Sequence, residues 1–182
     1  MIKKILLGAI VVLVLAVAIF CVVVAIQPSH YHIERTAIIN APAPIVFAQV
    51  NDFHKWDAWS PWAKLDPAMK TSYEGAPAGT GAMYSWTGNS QVGEGRMTIT
   101  QSVPSTLVKI KLEFIKPWVA TNATDFMFAS QGSQTNVKWT MDGENNFMGK
   151  AFGMFMNMDK MIGNDFEKGL AQMKTLTEAA AK

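Results

Sequence analysis

Cysteine occurs once, at Cys21, so no intramolecular disulfide can form. Cys21 follows Phe20 rather than the small residue that a bacterial lipoprotein signal needs, and lipidation is not expected. Histidine occurs three times. His30 and His32 flank Tyr31 and are too few for a metal site by ligand count, which leaves His54 as the one histidine in the body of the chain. There is no Gly-x-Ser-x-Gly elbow, phosphate loop, dinucleotide fingerprint or zinc spacing. A nucleophile with its base and orienting group is therefore not recognisable, and neither catalytic residues nor a cofactor are implied. Charge is not concentrated either. Beyond Lys3 and Lys4, fourteen basic residues stand against fourteen acidic ones, with no basic stripe, which argues against nucleic acid as a partner. Internal repeats and low-complexity segments are also missing.

What is present begins with an uncharged apolar run at residues 5–26, a bilayer-spanning length. Lys3 and Lys4 precede it, so the positive-inside tendency leaves the N-terminus cytoplasmic and the rest periplasmic or extracellular. A cleaved signal peptide is the competing reading. It calls for a shorter apolar region followed by a small-x-small site, whereas Ala16-Val17-Ala18 lies inside the run. The run therefore reads as a membrane anchor, giving a division into an anchor at 1–27 and one domain at 28–182.

After the linker, residues 32–39 alternate as a first strand, placing Ile33, Arg35, Ala37 and Ile39 on one side. Asn40 is a plausible helix cap, and a proline suits an early helical position. Ile45, Val46, Phe47 and Val50 fall at helical spacing. A second short helix at 52–59 puts Phe53, Trp56 and Trp59 on one face, and Trp62 follows Ser60-Pro61. These tryptophans suit the cover of a sheet end, the mouth of a pocket or a membrane interface. Strands follow at 70–74, 82–87, 92–102, 107–115, 120–129 and 136–141, separated by Gly, Pro and Asn turns. The clearest alternates Val108, Ile110, Leu112 and Phe114 against Lys109, Lys111 and Glu113. Asn122-Ala123-Thr124 matches a glycosylation pattern, but within a strand.

The final stretch, 145–176, reads as one long helix. Phe147, Ala151, Phe155, Met158, Ile162, Phe166, Leu170 and Met173 form its apolar stripe. Six methionines lie here. Met154, Met158 and Met161 share a face that could hold soft copper(I), although core packing explains that face already. One strand, two short helices, about six antiparallel strands and one long amphipathic helix make an α+β fold in which the curved sheet wraps the helix.

Several pieces of the chain resemble a known group. They are Ile38-Ile39-Asn40-Ala41-Pro42 with Val46-Phe47, Trp56-x-x-Trp59-Ser60-Pro61-Trp62, Gly93-Glu94-Gly95, and Trp139-Thr140-Met141-x-Gly143. Together they are similar to the SRPBCC superfamily of START-like, birch-pollen-allergen-like and polyketide cyclase/dehydrase-like proteins. The likeness is nearest to its bacterial branch, often carried behind one membrane segment. It spans residues 31–177 and implies a helix-grip fold with a hydrophobic ligand cavity, without implying cyclase activity.

Strand parity then nominates the lining of such a cavity: Tyr84, Trp86, Met97, Phe114, Phe126, Trp139, Phe155, Met158 and Ile162, with Trp62 near the mouth. The expected occupant is a lipid or other apolar small molecule. The alternatives are a cyclase- or dehydratase-like enzyme using Glu94 or His54 in the same cavity, and an interaction domain whose core is simply full.

Overall fold

A computed structural model describes residues 2–181. The chain forms two compact units. One holds the chain up to Tyr31 together with Asn145–Asn157. The other holds His32–Glu144 together with the chain from Met158 onward.

The first unit contains the helix α1 (Ile2–Ala25), whose stretch Lys3–Ala25 is long and apolar enough to cross a membrane. It ends where Gln27 Nε2 donates to the Val23 carbonyl at 3.2 Å.

The second unit is built on a seven-stranded antiparallel sheet: β1 (His30–Ile39), β2 (Lys70–Gly75), β3 (Ala82–Thr87), β4 (Glu94–Val103), β5 (Leu107–Lys116), β6 (Ala120–Gln131) and β7 (Gln134–Glu144). The order β1-β7-β6-β5-β4-β3-β2 makes β2 to β7 a meander and returns β1 to the β7 edge. Alternation decides which face is dry. Val108, Ile110 and Leu112 on β5 are buried, as are Phe126 and Phe128 on β6 and Val137, Trp139 and Met141 on β7. Between them the outer face carries ion pairs such as Arg96–Glu113 at 3.0 Å and Lys111–Glu113 at 2.7 Å.

Two short helices follow β1, as the sequence leads one to expect: α2 (Ala43–Asn51) and a 3-10 helix, Phe53–Ala58. The tryptophans explain why the chain turns here. The last carbonyls of a helix have no intrahelical donor. Trp56 Nε1 donates to the Val50 carbonyl at 3.0 Å, Trp59 Nε1 to Gln49 at 3.1 Å, and the Gly79 amide to Asn51 at 2.8 Å. Asp52 caps the 3-10 helix by accepting from the His54 amide at 3.0 Å. Asn40 does not cap α2, contrary to the sequence reading. Its amide and side chain both donate to Glu178 Oε1, at 2.7 and 2.8 Å, and Pro42 holds the cap position.

The long C-terminal helix is α4 (Met158–Ala180), and it buries Phe166, Leu170, Met173 and Thr177. It does not begin at Asn145. A separate short helix, α3 (Phe147–Gly153), precedes it, capped by Asn146 Oδ1 on the Gly149 amide at 2.9 Å. The sequence 154–157 turns between the two. Gly153 is a poor helix former and Asn157 favours local hydrogen bonds over helix interior, so the apolar periodicity carries across a break in the backbone.

Candidate functional site

Polar contacts fasten α4 to β1. At one end Lys174 Nζ donates to the Ile38 carbonyl at 2.9 Å, beside the Asn40–Glu178 bonds. At the other end Arg35, which shares its side of β1 with buried Ile33 and Ile39, reaches three acceptor groups on α4. It bonds Glu167 at 2.8 Å, the Asp159 carboxylate at 3.0 and 3.1 Å, and the Asp159 carbonyl at 3.0 Å. Gly163 provides the notch for this guanidinium, because a Cβ there would land on it. The two hydrogen bonds from Arg35 hold the Asp159 carboxyl below its usual range, while Asp159 and Glu167 raise the Arg35 pKa.

Between the sheet and α4 lies a continuous band of aromatic rings. Trp139 stacks on Phe166 with centroids 3.9 Å apart and planes at 5°, and on Phe126 at 4.6 Å and 29°. Trp59 and Trp62 meet Trp139 edge-on at 5.7 and 5.9 Å, and Trp62 also meets Phe166 at 6.4 Å. The band continues through Trp56 and Phe53 to Tyr84 and then to Trp86, which stands edge-on to Phe114 at 6.0 Å. Two glycines admit the largest rings. A Cβ at Gly95 would strike the Trp86 ring, and one at Gly169 would lie 2.9 Å from Trp139 Cζ3 and 3.2 Å from Pro61 Cδ. Each stacked or edge-on pair contributes about 0.5–1.5 kcal/mol beyond area burial.

Among the described residues, one buried side-chain polar atom has no partner. Trp56, Trp59 and Trp86 each donate their indole N–H to a backbone carbonyl, at 3.0, 3.1 and 2.9 Å. Trp139 is 2% exposed, and its Nε1 finds no acceptor among the described residues. A buried donor left unpaired costs about 1–3 kcal/mol. Burial, with a smaller contribution from Asp57, raises the Tyr84 phenol pKa, so this hydroxyl keeps its proton across the physiological range.

Of the nominated residues, Trp62, Tyr84, Trp86, Phe114, Phe126 and Trp139 belong to the band of rings, Met97 lies on β4, and Met158 and Ile162 lie on α4. Tyr84, Met97, Phe126 and Trp139 are buried, and Trp62, Trp86, Phe114, Met158 and Ile162 are half-buried. In register, Tyr84 faces Met97 and Phe126 faces Trp139. Phe155 does not join them: it lies in the turn between α3 and α4, 78% exposed. Sequence reasoning missed Arg35, Gly163 and Gly169. The available signal was an arginine at an inward strand position together with two carboxylates eight residues apart around a glycine.

The carboxylate and histidine weighed for catalysis lie elsewhere. Glu94 is ion-paired with Lys116 at 2.7 Å, where β4 begins and β5 ends. His54 is exposed, bonded to Asp52 at 3.0 Å and stacked on Tyr73 at 4.0 Å, beside a shallow depression of about 200 Å³. Among the described residues no group of three or more His, Cys, Asp or Glu side chains could hold a metal ion.

Solved structures share this architecture. The Zhui aromatase/cyclase from Streptomyces sp. R1128 is 14% identical at a TM-score of 0.62, covering 84% of this chain and 96% of that one. TTHA0849 from Thermus thermophilus is 13% identical at 0.60, covering 84% and 100%. The di-domain ARO/CYC StfQ of the steffimycin biosynthetic pathway is 10% identical at 0.63, covering 84% of this chain and 52% of that one. At these identities the likeness is one of fold. No curated protein matches the chain in sequence. A family model described as polyketide cyclase / dehydrase and lipid transport matches residues 30–178, and the chain belongs to that family.

Proposed function

We propose that this chain is a membrane-tethered binding domain whose aromatic interior takes a lipid or other apolar small molecule. Residues 1–27 serve as the anchor, with the N-terminus cytoplasmic, and residues 28–182 as the ligand-binding domain outside. The observation that carries the reading is the buried indole N–H of Trp139, which finds no acceptor among the described residues and stands within the band of aromatic rings. A ligand with an apolar body and one carbonyl or hydroxyl oxygen would satisfy that donor, the usual composition of a small-molecule site. The family description, polyketide cyclase / dehydrase and lipid transport, supports the same class of ligand.

The rings stand close together, so the ligand enters by displacing side chains. The entrance in this reading lies at the first turns of α4, where Met158 and Ile162 are half-buried and Arg35 makes its contacts. A binding role is favoured over catalysis because Glu94 is engaged with Lys116 and His54 faces solvent. The test is energy transfer from tryptophan to a dansyl-labelled fatty acid, using the full chain in detergent. Saturable transfer that is lost in Ile162→Asp supports the proposal. Transfer that rises linearly and equally in both proteins overturns it.

A further inference from the structure

We infer that residues 147–156 form a second membrane contact, lying in the headgroup–acyl boundary beside the end of α1. The inference rests on the reading of α1 as a membrane-spanning helix. Within ten residues six large apolar side chains are exposed: Phe147 (47%), Met148 (54%), Phe152 (50%), Met154 (39%), Phe155 (78%) and Met156 (44%). An apolar patch this dense on a surface is a mark of an interaction site. The 145–157 segment contains no Asp or Glu, and its one charge is Lys150.

The position of the patch selects a bilayer as its occupant. Lys150 Nζ donates to the Ala25 carbonyl at 3.1 Å, and the Asn145 amide donates to the Ser29 carbonyl at 2.6 Å. Ala25 is the last residue of α1, whose final turn has no basic residue of its own. Lys150 thus supplies the cation that the negative end of this helix favours. It also ties α3 to the point where a spanning helix leaves the hydrocarbon. A short apolar helix with one lysine at that depth meets the interface, where lysine stems snorkel and apolar rings sink roughly 5–10 Å below the headgroups.

The test uses the full chain carrying Cys21→Ser, reconstituted in phosphatidylcholine–phosphatidylglycerol vesicles. Single nitroxide labels are placed at Phe152→Cys, Phe155→Cys, Val14→Cys and Gln172→Cys, and their collision rates with oxygen and with a water-soluble nickel chelate are compared. The expected result is a several-fold lower nickel accessibility at 152 and 155 than at 172, with oxygen accessibility preserved, and a still deeper label at 14. A deep label at 14 with labels at 152 and 155 as wet as 172 overturns this inference alone. A wet label at 14 overturns it together with the spanning reading. Labels at 152 and 155 shielded from both oxygen and nickel would assign the patch to a protein contact, such as a second copy, and overturn it as well.

Discussion

Three residues on the inner surface of the second unit differ in what a small change of side chain would do. Gly169 faces the rigid edge of Trp139 and the ring of Pro61, so neither neighbour can give way cheaply. Overpacking of this kind costs about 1–3 kcal/mol, against about 1 kcal/mol gained from alanine's helix propensity. Gly169→Ala should therefore lower the unfolding midpoint in a denaturant titration. Gly163 faces the flexible end of Arg35 instead. The partners of that guanidinium are the exposed carboxylates of Asp159 and Glu167, and ion pairs open to solvent contribute little to stability. Gly163→Ala should leave the stability within about 1 kcal/mol of wild type, because helix propensity offsets the displaced guanidinium. Trp139→Phe keeps a ring on Phe166 and removes the unpaired donor. It should be stable to within about 1 kcal/mol and bind an oxygen-bearing apolar probe more weakly, because the relief of desolvation and the lost ring volume oppose each other. A full loss of folding in Trp139→Phe would make the indole a structural group only.

At the scale of elements, the sequence is most legible where alternation is undisturbed. β5 reads directly, since Val108, Ile110 and Leu112 point inward and Lys109, Lys111 and Glu113 point outward. β3 runs over Ala82–Thr87, the bounds that its alternation predicts. The helix break at 154–157 is not legible, because the apolar spacing from Phe147 to Met173 is continuous through it. Periodicity reports which side of a helix would be dry and carries no information on whether the backbone stays helical. The inward positions of Tyr84, Phe126 and Trp139 are legible from strand parity, and the latch of α4 is not, because it joins Arg35 to residues more than a hundred positions away.

That latch has a pH dependence with a definite sign. The Asp159 carboxyl titrates below its ordinary value because Arg35 donates to it. Its contribution is present above the unfolded pKa of about 3.9 and is lost as pH falls through the lower folded value. Amide protection factors at 160–164, taken relative to the intrinsic exchange rate at each pH, should therefore fall on acidification while those at 169–173 stay high. His32 runs the opposite way. Its hydrogen bond to Asp142 at 2.8 Å raises its pKa, so its contribution is complete below about 6.5 and is lost as pH rises through the higher folded value. Arg35→Ala should speed uptake of a dansyl-labelled fatty acid several-fold in stopped flow if the first turns of α4 are the entrance. An unchanged rate would place the entrance elsewhere.

At the scale of the whole molecule, the proposed function makes an apolar helix and an aromatic-rich domain one device that handles an apolar molecule next to a bilayer. Lys3 and Lys4 set the proposed orientation through the preference of cations for the cytoplasmic side. In the Cys21→Ser background, a cysteine at exposed Lys168 should react with an impermeant maleimide on intact cells, and a cysteine at Lys3 should react only after lysis. The reverse pattern would invert the topology without touching the binding proposal.

The central claim is that the interior retains a specific apolar molecule. Native mass spectrometry of the full chain released from detergent, followed by solvent extraction, tests it most directly. Bulk membrane lipid will accompany any chain with a helix like α1, so the comparison is between wild type and Ile162→Asp. The account predicts a defined adduct on the wild type that is reduced in Trp139→Phe and missing from folded Ile162→Asp. The same lipids in the same amounts on all three proteins would contradict it.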